Sequence, residues 1–234
     1  MAKIIAGNWK MHGNMALAKA LVQAVAAQTA QSPAKVIVCP PATLLAQVGQ
    51  LISGFKIALG GQDCASQPEG AYTGDISAAM LKDTGCKYVI VGHSERRQYH
   101  FESDEKIRSK AEQAIAAGLT PIICIGENAE ERASGNAIEN VCQQLSLCMP
   151  ASGQFLLAYE PVWAIGSGQT PSLGDISQMH AAIRKMAPVP VLYGGSVNAG
   201  NAKDILATDG VDGVLVGGAS IKAEEFCKII KAAA

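Results

Sequence analysis

FLLAYEPVWAIGSGQT, residues 155–170, joins two opposite characters in one short stretch. Its first half is an apolar run without polar alternation, which reads as a strand buried on both faces, as in a parallel sheet. The run stops on a lone acid, Glu160. A stiff step follows at Pro161 and Trp163, then a loose one at Gly166, Ser167 and Gly168. A buried strand that ends on a carboxylate and opens into a glycine-rich loop is the pattern of a βα unit carrying function at the strand's end.

The same order, an apolar run closed by Gly, Pro or a polar residue, occurs eight times: KIIAGN, KVIVCP, KIALGGQD, KYVIVGH, LTPIICIGE, FLLAYEP, VPVLYGG and GVLVGG. Segments of helical spacing lie between them. NMALAKALVQAVAAQ puts Leu17, Leu21 and Val25 on one stripe, and SDEKIRSKAEQAIAAG begins with a cap at Ser103 and stops at Gly118. Residues 137–147, NAKDILATDG and AEEFCKIIKAAA complete the set. Strand and helix alternating in this way, with right-handed crossovers, predict a (β/α)8 barrel as one domain over residues 1–234. A doubly wound open sheet is the alternative, but no G-x-G-x-x-G follows the first strand.

Composition narrows the function. Apolar residues make up 49% of the 234 positions, charged residues 17%, and the formal net charge is −1. With no basic run, neither nucleic acid nor an anionic membrane is an expected partner. No apolar run approaches the ~18 residues of a membrane span, and Met1-Ala2-Lys3 leads straight into the first strand, so no leader or membrane segment is expected. Seven cysteines without CxxC spacing fit reduced thiols in the cytoplasm.

In a barrel the residues at the strand ends carry the chemistry. Asn8 and Lys10 end the first strand on the same side, and Lys10 offers a fixed cation to an oxyanion or an anionic substrate, or is a solvated surface lysine. His93 ends the fourth strand, with Ser94 as the expected cap of a short helix. Amides there favour an uncharged imidazole that donates to a carbonyl; the plainer reading is a structural histidine bonded to backbone. Glu95, Arg96 and Arg97 are expected in ion pairs. Glu160 reads as a general base shielded by its loop, or as an acid leaving for solvent. Gly195 with Ser196, and Gly217 with Gly218, follow the last two strands. Both pairs read as helix openings whose amides take a phosphate, or as tight left-handed turns. Cys124 reads as a small core residue, and Glu127 as an acid that exits to the surface or starts the following loop.

Taken together, AGNWKM, GAYTGDIS, VIVGHSERR, PIICIGE, AYEPVWAIGSG, YGGSV and LVGGAS, in this order and spread over essentially the whole chain, resemble the triosephosphate isomerase family. The resemblance implies interconversion of dihydroxyacetone phosphate and D-glyceraldehyde 3-phosphate through an enediolate, without cofactor or metal. It implies Glu160 as base, His93 as electrophile and Lys10 as electrostatic lysine. Asn8, Lys10, Gly166, Ser196, Gly217 and Gly218 would bind substrate, and Glu95 and Cys124 would support the site. It also implies a homodimer through the loop around Gly70 and Gly74. An aldolase would need a lysine facing the barrel axis, a metal-dependent epimerase more His or Asp ligands at strand ends, and a non-enzymatic barrel would not need this set of residues.

The chain departs from the family at His12, Asp63 and Gln169, and in two connections, 146–155 and 184–195, that are short for the family. His12 and Asp63 stand where Asn is usual, and the resemblance puts both near the subunit contact, where they are expected to form an intersubunit or near-interface polar pair. Gln169-Thr170-Pro171 replaces a Lys-led far end of the loop, with Pro171 suited to a helix start.

Overall fold

A computed structural model of the chain describes residues 2–165 and 169–233. The eight apolar runs are eight parallel strands: β1 (Ile4–Asn8), β2 (Lys35–Cys39), β3 (Ile57–Gly61), β4 (Tyr88–Val91), β5 (Thr120–Ile125), β6 (Leu156–Tyr159), β7 (Val191–Tyr193) and β8 (Gly213–Val216). They pair in sequence order and close, β8 hydrogen-bonding back to β1 with Ile4 opposite Gly213, so the sheet is a barrel and not an open one.

Because strand side chains alternate, one barrel makes two cores. Ile4, Ala6, Ile37, Ile90, Ile122, Cys124, Ala158 and Leu192 fill the inside. Their neighbours Ile5, Val38, Val89, Val91, Ile123, Leu157 and Val214 face outward under the helices. That two-sided burial is why the runs show no polar alternation.

Ten α-helices are described: α1 (Met15–Thr29), α2 (Leu45–Leu51), α3 (Ala78–Asp83), α4 (Ser94–His100), α5 (Asp104–Ala116), α6 (Ala129–Ala133), α7 (Ala137–Cys148), α8 (Leu173–Met186), α9 (Ala202–Ala207) and α10 (Ala223–Lys231). The local signals act where the sequence places them. In α1, Leu21 and Val25 are buried with Ala18 and Val22, while Leu17 sits at the margin. Ser103 accepts the Lys106 N–H at 3.3 Å to cap α5, and Gly118 leaves the helix at φ +75°.

Two expectations about helix starts are corrected. α4 is capped by His93, not Ser94, because the imidazole Nδ1 accepts the Glu95 N–H at 3.2 Å. α8 does not start at Pro171. Ser172 is its cap, and Ser172 and Asp175 exchange a reciprocal capping box, which fixes the start two residues later.

Candidate active site

Glu160 follows β6, and its place is set by its neighbours' lack of side chains. Its N–H donates to the Ile125 carbonyl at 2.7 Å. A Cβ on Gly126 would fall 1.6 Å from the Glu160 carbonyl oxygen, and one on Gly194 would fall 2.9 Å from Glu160 Cγ. Glycines after β5 and β7 therefore let the strand between them project its acid. The carboxylate is 2% exposed. Oε2 accepts the Ser94 N–H at 2.9 Å, and Oε1 lies 3.0 Å from His93 Nε2.

His93 is buried at the end of β4. The Glu95 N–H donated to Nδ1 assigns the ring proton to Nε2, which then points at Glu160. The turn that caps α4 thus also sets the tautomer, so the histidine is structural and chemically poised at once.

Lys10 is one of two non-glycine residues in the left-handed region among the described residues, with φ 53°. That conformation costs on the order of 1 kcal/mol. Asn8 Oδ1 accepts the Lys10 N–H at 2.9 Å, and Gln62 Nε2 donates to the Lys10 carbonyl, also at 2.9 Å. The turn is held from both sides. Lys10 Nζ reaches Glu95 at 2.6 Å, and its stem passes over Gly217, where a Cβ would meet Lys10 Cε at 3.3 Å.

Neither glycine pair is the left-handed turn of one sequence reading, and only the second opens a helix. None of Gly194, Gly195, Gly217 and Gly218 has a positive φ, so neither pair is a left-handed turn. Gly217 does precede a short 3-10 turn, Gly218–Ile221, but Ser196 opens no helix, since α9 starts only at Ala202. The loop after β7 is held by side chains instead: Asn201 Nδ2 donates to the Ser196 carbonyl at 3.0 Å and Asn201 Oδ1 accepts the Asn198 N–H at 2.9 Å. Gly195 is small because a Cβ there would meet the Tyr193 hydroxyl at 2.2 Å.

These elements enclose one cavity of about 430 Å³ bordered by Asn8, Lys10, His93, Glu160, Ser196, Gly217 and Gly218. Gly166, expected with them, lies outside the described residues, as do Ser167 and Gly168 of the expected loop tip. The near side of that loop is a 3-10 turn, Val162–Ala164. Glu95 and Cys124 stand behind the cavity: Glu95 holds Lys10, and the fully buried Cys124 fills the barrel while its carbonyl accepts from Arg97 Nη2 at 2.9 Å.

Sequence reading missed Glu127. It lies in the loop that follows β5, one of its two sequence readings, but it does not exit to the surface and is fully buried. One oxygen accepts the Tyr159 hydroxyl at 3.1 Å and Trp163 Nε1 at 2.9 Å. Burial raises its pKa, against the pull of those hydrogen bonds. The Trp163 ring also has the Arg132 guanidinium 5.7 Å from its centroid, and Arg132 pairs with Asp175 at 2.9 Å. The aromatic and acidic residues were visible in the sequence, but nothing local announced that they meet.

The expected pair of His12 and Asp63 does not form within the chain. Asp63 is taken by cations of its own subunit: Lys110 Nζ at 2.7 and 2.8 Å and Arg96 Nε at 2.9 Å. Both cations also bind Glu102, at 2.5 and 2.7 Å. Burial raises the pKa of Asp63, outweighing the attraction of Lys110. Glu102 is lowered, because the bonds from Lys110 and Arg96 outweigh its burial. Arg97, also expected in an ion pair, forms one with Asp104 at 2.6 Å. Among the described residues, no three His, Cys, Asp or Glu side chains gather as a metal site.

Comparison with known proteins agrees with this geometry. A family model described as triosephosphate isomerase matches residues 3–233. The chain is similar to the triosephosphate isomerase of Albidiferax ferrireducens, at 46% identity covering 99% of this chain and 98% of that one. It is 48% identical to that of Acidiphilium cryptum, over 100% and 99% of the two chains. A crystal structure of triosephosphate isomerase from Bartonella henselae superposes with a TM-score of 0.92 at 39% identity, covering 99% of both chains.

Proposed function

The chain belongs to the triosephosphate isomerase family and interconverts dihydroxyacetone phosphate and D-glyceraldehyde 3-phosphate; on that premise we propose that Glu160, His93 and Lys10 divide the proton transfer among them. The observation that carries this reading is the buried Glu160 carboxylate set 3.0 Å from His93 Nε2, on a cavity that Lys10 and Asn8 also border.

Glu160 removes a proton from the carbon next to the substrate carbonyl. Negative charge builds on the oxygen, where the Nε2–H of His93 donates and the Lys10 ammonium attracts. Asn8 keeps Lys10 in its strained turn. His93 passes its Nε2 proton to the charged oxygen and takes the hydroxyl proton from the neighbouring oxygen, and the same carboxylate, now an acid, returns its proton to the neighbouring carbon. Substrate takes over the hydrogen bond that His93 otherwise gives Glu160, while the Ser94 N–H keeps hold of the carboxylate's other oxygen. Amides of Ser196, Gly217 and Gly218 grip the phosphate, and the loop after Glu160 excludes water that would let the enediolate lose it. Glu95 and Cys124 support from behind.

The loop around Gly70 and Gly74 joins two subunits. This is supported by Tyr72, half exposed on that loop, and by Met11 and Tyr99, exposed by 95% and 66% around a second hollow beside Lys10. A cytoplasmic site of action is supported by seven cysteines that form no disulfide. No described helix is long and apolar enough to cross a membrane.

A coupled assay on D-glyceraldehyde 3-phosphate in deuterated water tests the division of roles. Glu160→Asp is expected to lower turnover by on the order of 10²–10⁴ with the fold intact, and to slow deuterium entry into product in parallel. Near-normal turnover in that variant would end the assignment of Glu160 as base.

A further inference from the structure

The cavity is bordered by four formal charges, and they fall at two ends. Lys10 and Glu160 stand at the proton-transfer end, while Lys222 and Glu225 stand beside Ser196, Gly217 and Gly218. Two cations and two anions cancel, so the wall as a whole does not attract a dianion. The ammonium of Lys10 is moreover engaged by Glu95 at 2.6 Å. Lys222, at the start of α10, forms no ion pair among the described residues and is exposed at the rim. Glu225, one turn along, is not a spectator either: its Oε2 accepts the Ala199 N–H at 3.2 Å, tying α10 to the loop that carries Ser196. The carboxylate that braces this loop therefore also sets a negative charge beside the place where a phosphate would bind.

We propose that Lys222 is a further substrate-binding residue, the cation that favours the dianionic phosphate of the triose, and that Glu225 opposes it in charge while bracing the loop. The proposal rests on the phosphate lying against Ser196, Gly217 and Gly218. Neutral amides alone give a phosphate directional bonds but no net charge, and an anion at their edge lowers the local potential. An unpaired rim lysine restores it and draws the substrate in from solution. Rim charges of this kind act on encounter and binding more than on the chemical step, and salt screens them.

Steady-state kinetics with D-glyceraldehyde 3-phosphate, together with competitive inhibition by inorganic phosphate, test this at low salt and near 1 M salt. Lys222→Gln is expected to raise KM and the inhibition constant for phosphate together, by about three- to tenfold at low salt, with kcat moving less. Glu225→Gln keeps a carbonyl for the Ala199 N–H while losing the charge, and is expected to lower both constants by about twofold. The double variant returns towards the starting protein, and near 1 M salt the differences collapse. Lys228→Gln, on the same helix but off the cavity and paired with Glu224, serves as control. Unchanged constants in Lys222→Gln, an equal shift in Lys228→Gln, or both cavity variants moving in the same direction would overturn the proposal. Lys222→Arg restoring the constants supports it against a general disturbance of α10. Gly218→Val separates the underlying reading, since a Cβ there meets nothing within 4 Å. Loss of phosphate inhibition in Gly218→Val with none in Lys222→Gln removes only Lys222. No loss in either removes the phosphate end itself.

Discussion

Two carboxylates end neighbouring strands, and both are buried. Glu160 follows β6 and Glu127 follows β5, with exposures of 2% and 0%. Glu160 borders a cavity and is held by a histidine Nε2, which a substrate can compete for, and by one backbone amide. Glu127 borders no cavity described at the site and is held by Tyr159 and Trp163, side chains of the strand and turn it braces. Burial is the same, yet the roles divide. A buried acid becomes a candidate base only where its partners can be exchanged for substrate; where its partners are packed side chains it is a strut.

The largest effect should come from crossing the two positions. Glu160→Gln removes the proposed proton acceptor but keeps an oxygen for the Ser94 N–H. Turnover is expected to fall by on the order of 10²–10⁴ while the melting temperature holds. Glu127→Ala leaves the Tyr159 hydroxyl and Trp163 Nε1 without their acceptor, at about 1–3 kcal/mol for each orphaned group. At roughly 2–4 °C per kcal/mol for a domain of this size, calorimetry should show a loss on the order of 10 °C. If Glu127→Ala melts like the starting protein but loses turnover as Glu160→Gln does, the division into base and strut is wrong.

The contrast also explains what the sequence could and could not tell. Glu160 was legible because a polar residue directly after an apolar run marks a strand end, and strand ends face the site in a barrel. Lys10, His93, Ser196, Gly217 and Gly218 were legible for the same reason. Glu127 has the same local signature and was misread, because its partners come from β6 and from the turn after it. Which of two strand-end acids meets a cavity depends on pairing across strands, which no local pattern encodes. The glycines show the same limit. Gly126 and Gly194 read as loop punctuation, but their requirement is the closeness of Glu160 between them. The pairing of Asp63 with Lys110 and Arg96 of its own chain likewise spans elements far apart in the sequence.

A pH experiment sharpens the comparison on its weaker side. Burial raises the Glu127 pKa, so the folded state prefers the acid form more than the unfolded chain does. Such a group contributes stability that is complete below the ordinary glutamate range and is lost as pH rises through the raised folded value. The melting temperature of the starting protein relative to Glu127→Gln should therefore rise on going from pH 7 towards pH 5. A difference that stays flat or runs the other way would show that the bonds from Trp163 and Tyr159 outweigh burial.

The smallest effect is expected at Asp63, and it tests whether a crowded ion cluster behaves as a strut at all. Asp63 and Glu102 share Lys110 and Arg96. Counting pairs would assign the cluster a large stabilisation, but taking charges out of water offsets most of their attraction. The direction of the shifts separates the two acids. Glu102 is lowered, so its ionised form is favoured by the fold, whereas Asp63 is raised, chiefly by burial, so its ionised form is not. Neutralising Asp63 should then cost little. Asp63→Asn keeps an oxygen for one of the cations, and Lys110 keeps Glu102. The expected change is below about 1 kcal/mol at pH 7, with turnover within about twofold, since Asp63 does not border the cavity of Glu160. The same signs require the starting protein to gain on Asp63→Asn as pH falls, because the raised acid is protonated with less loss in the folded state. A loss of several kcal/mol at pH 7 that shrinks as salt is raised would mean that the Asp63 charge contributes more through its pairs than it loses by desolvation. Asp63 would then join Glu127 as a strut, held by ions instead of aromatic donors.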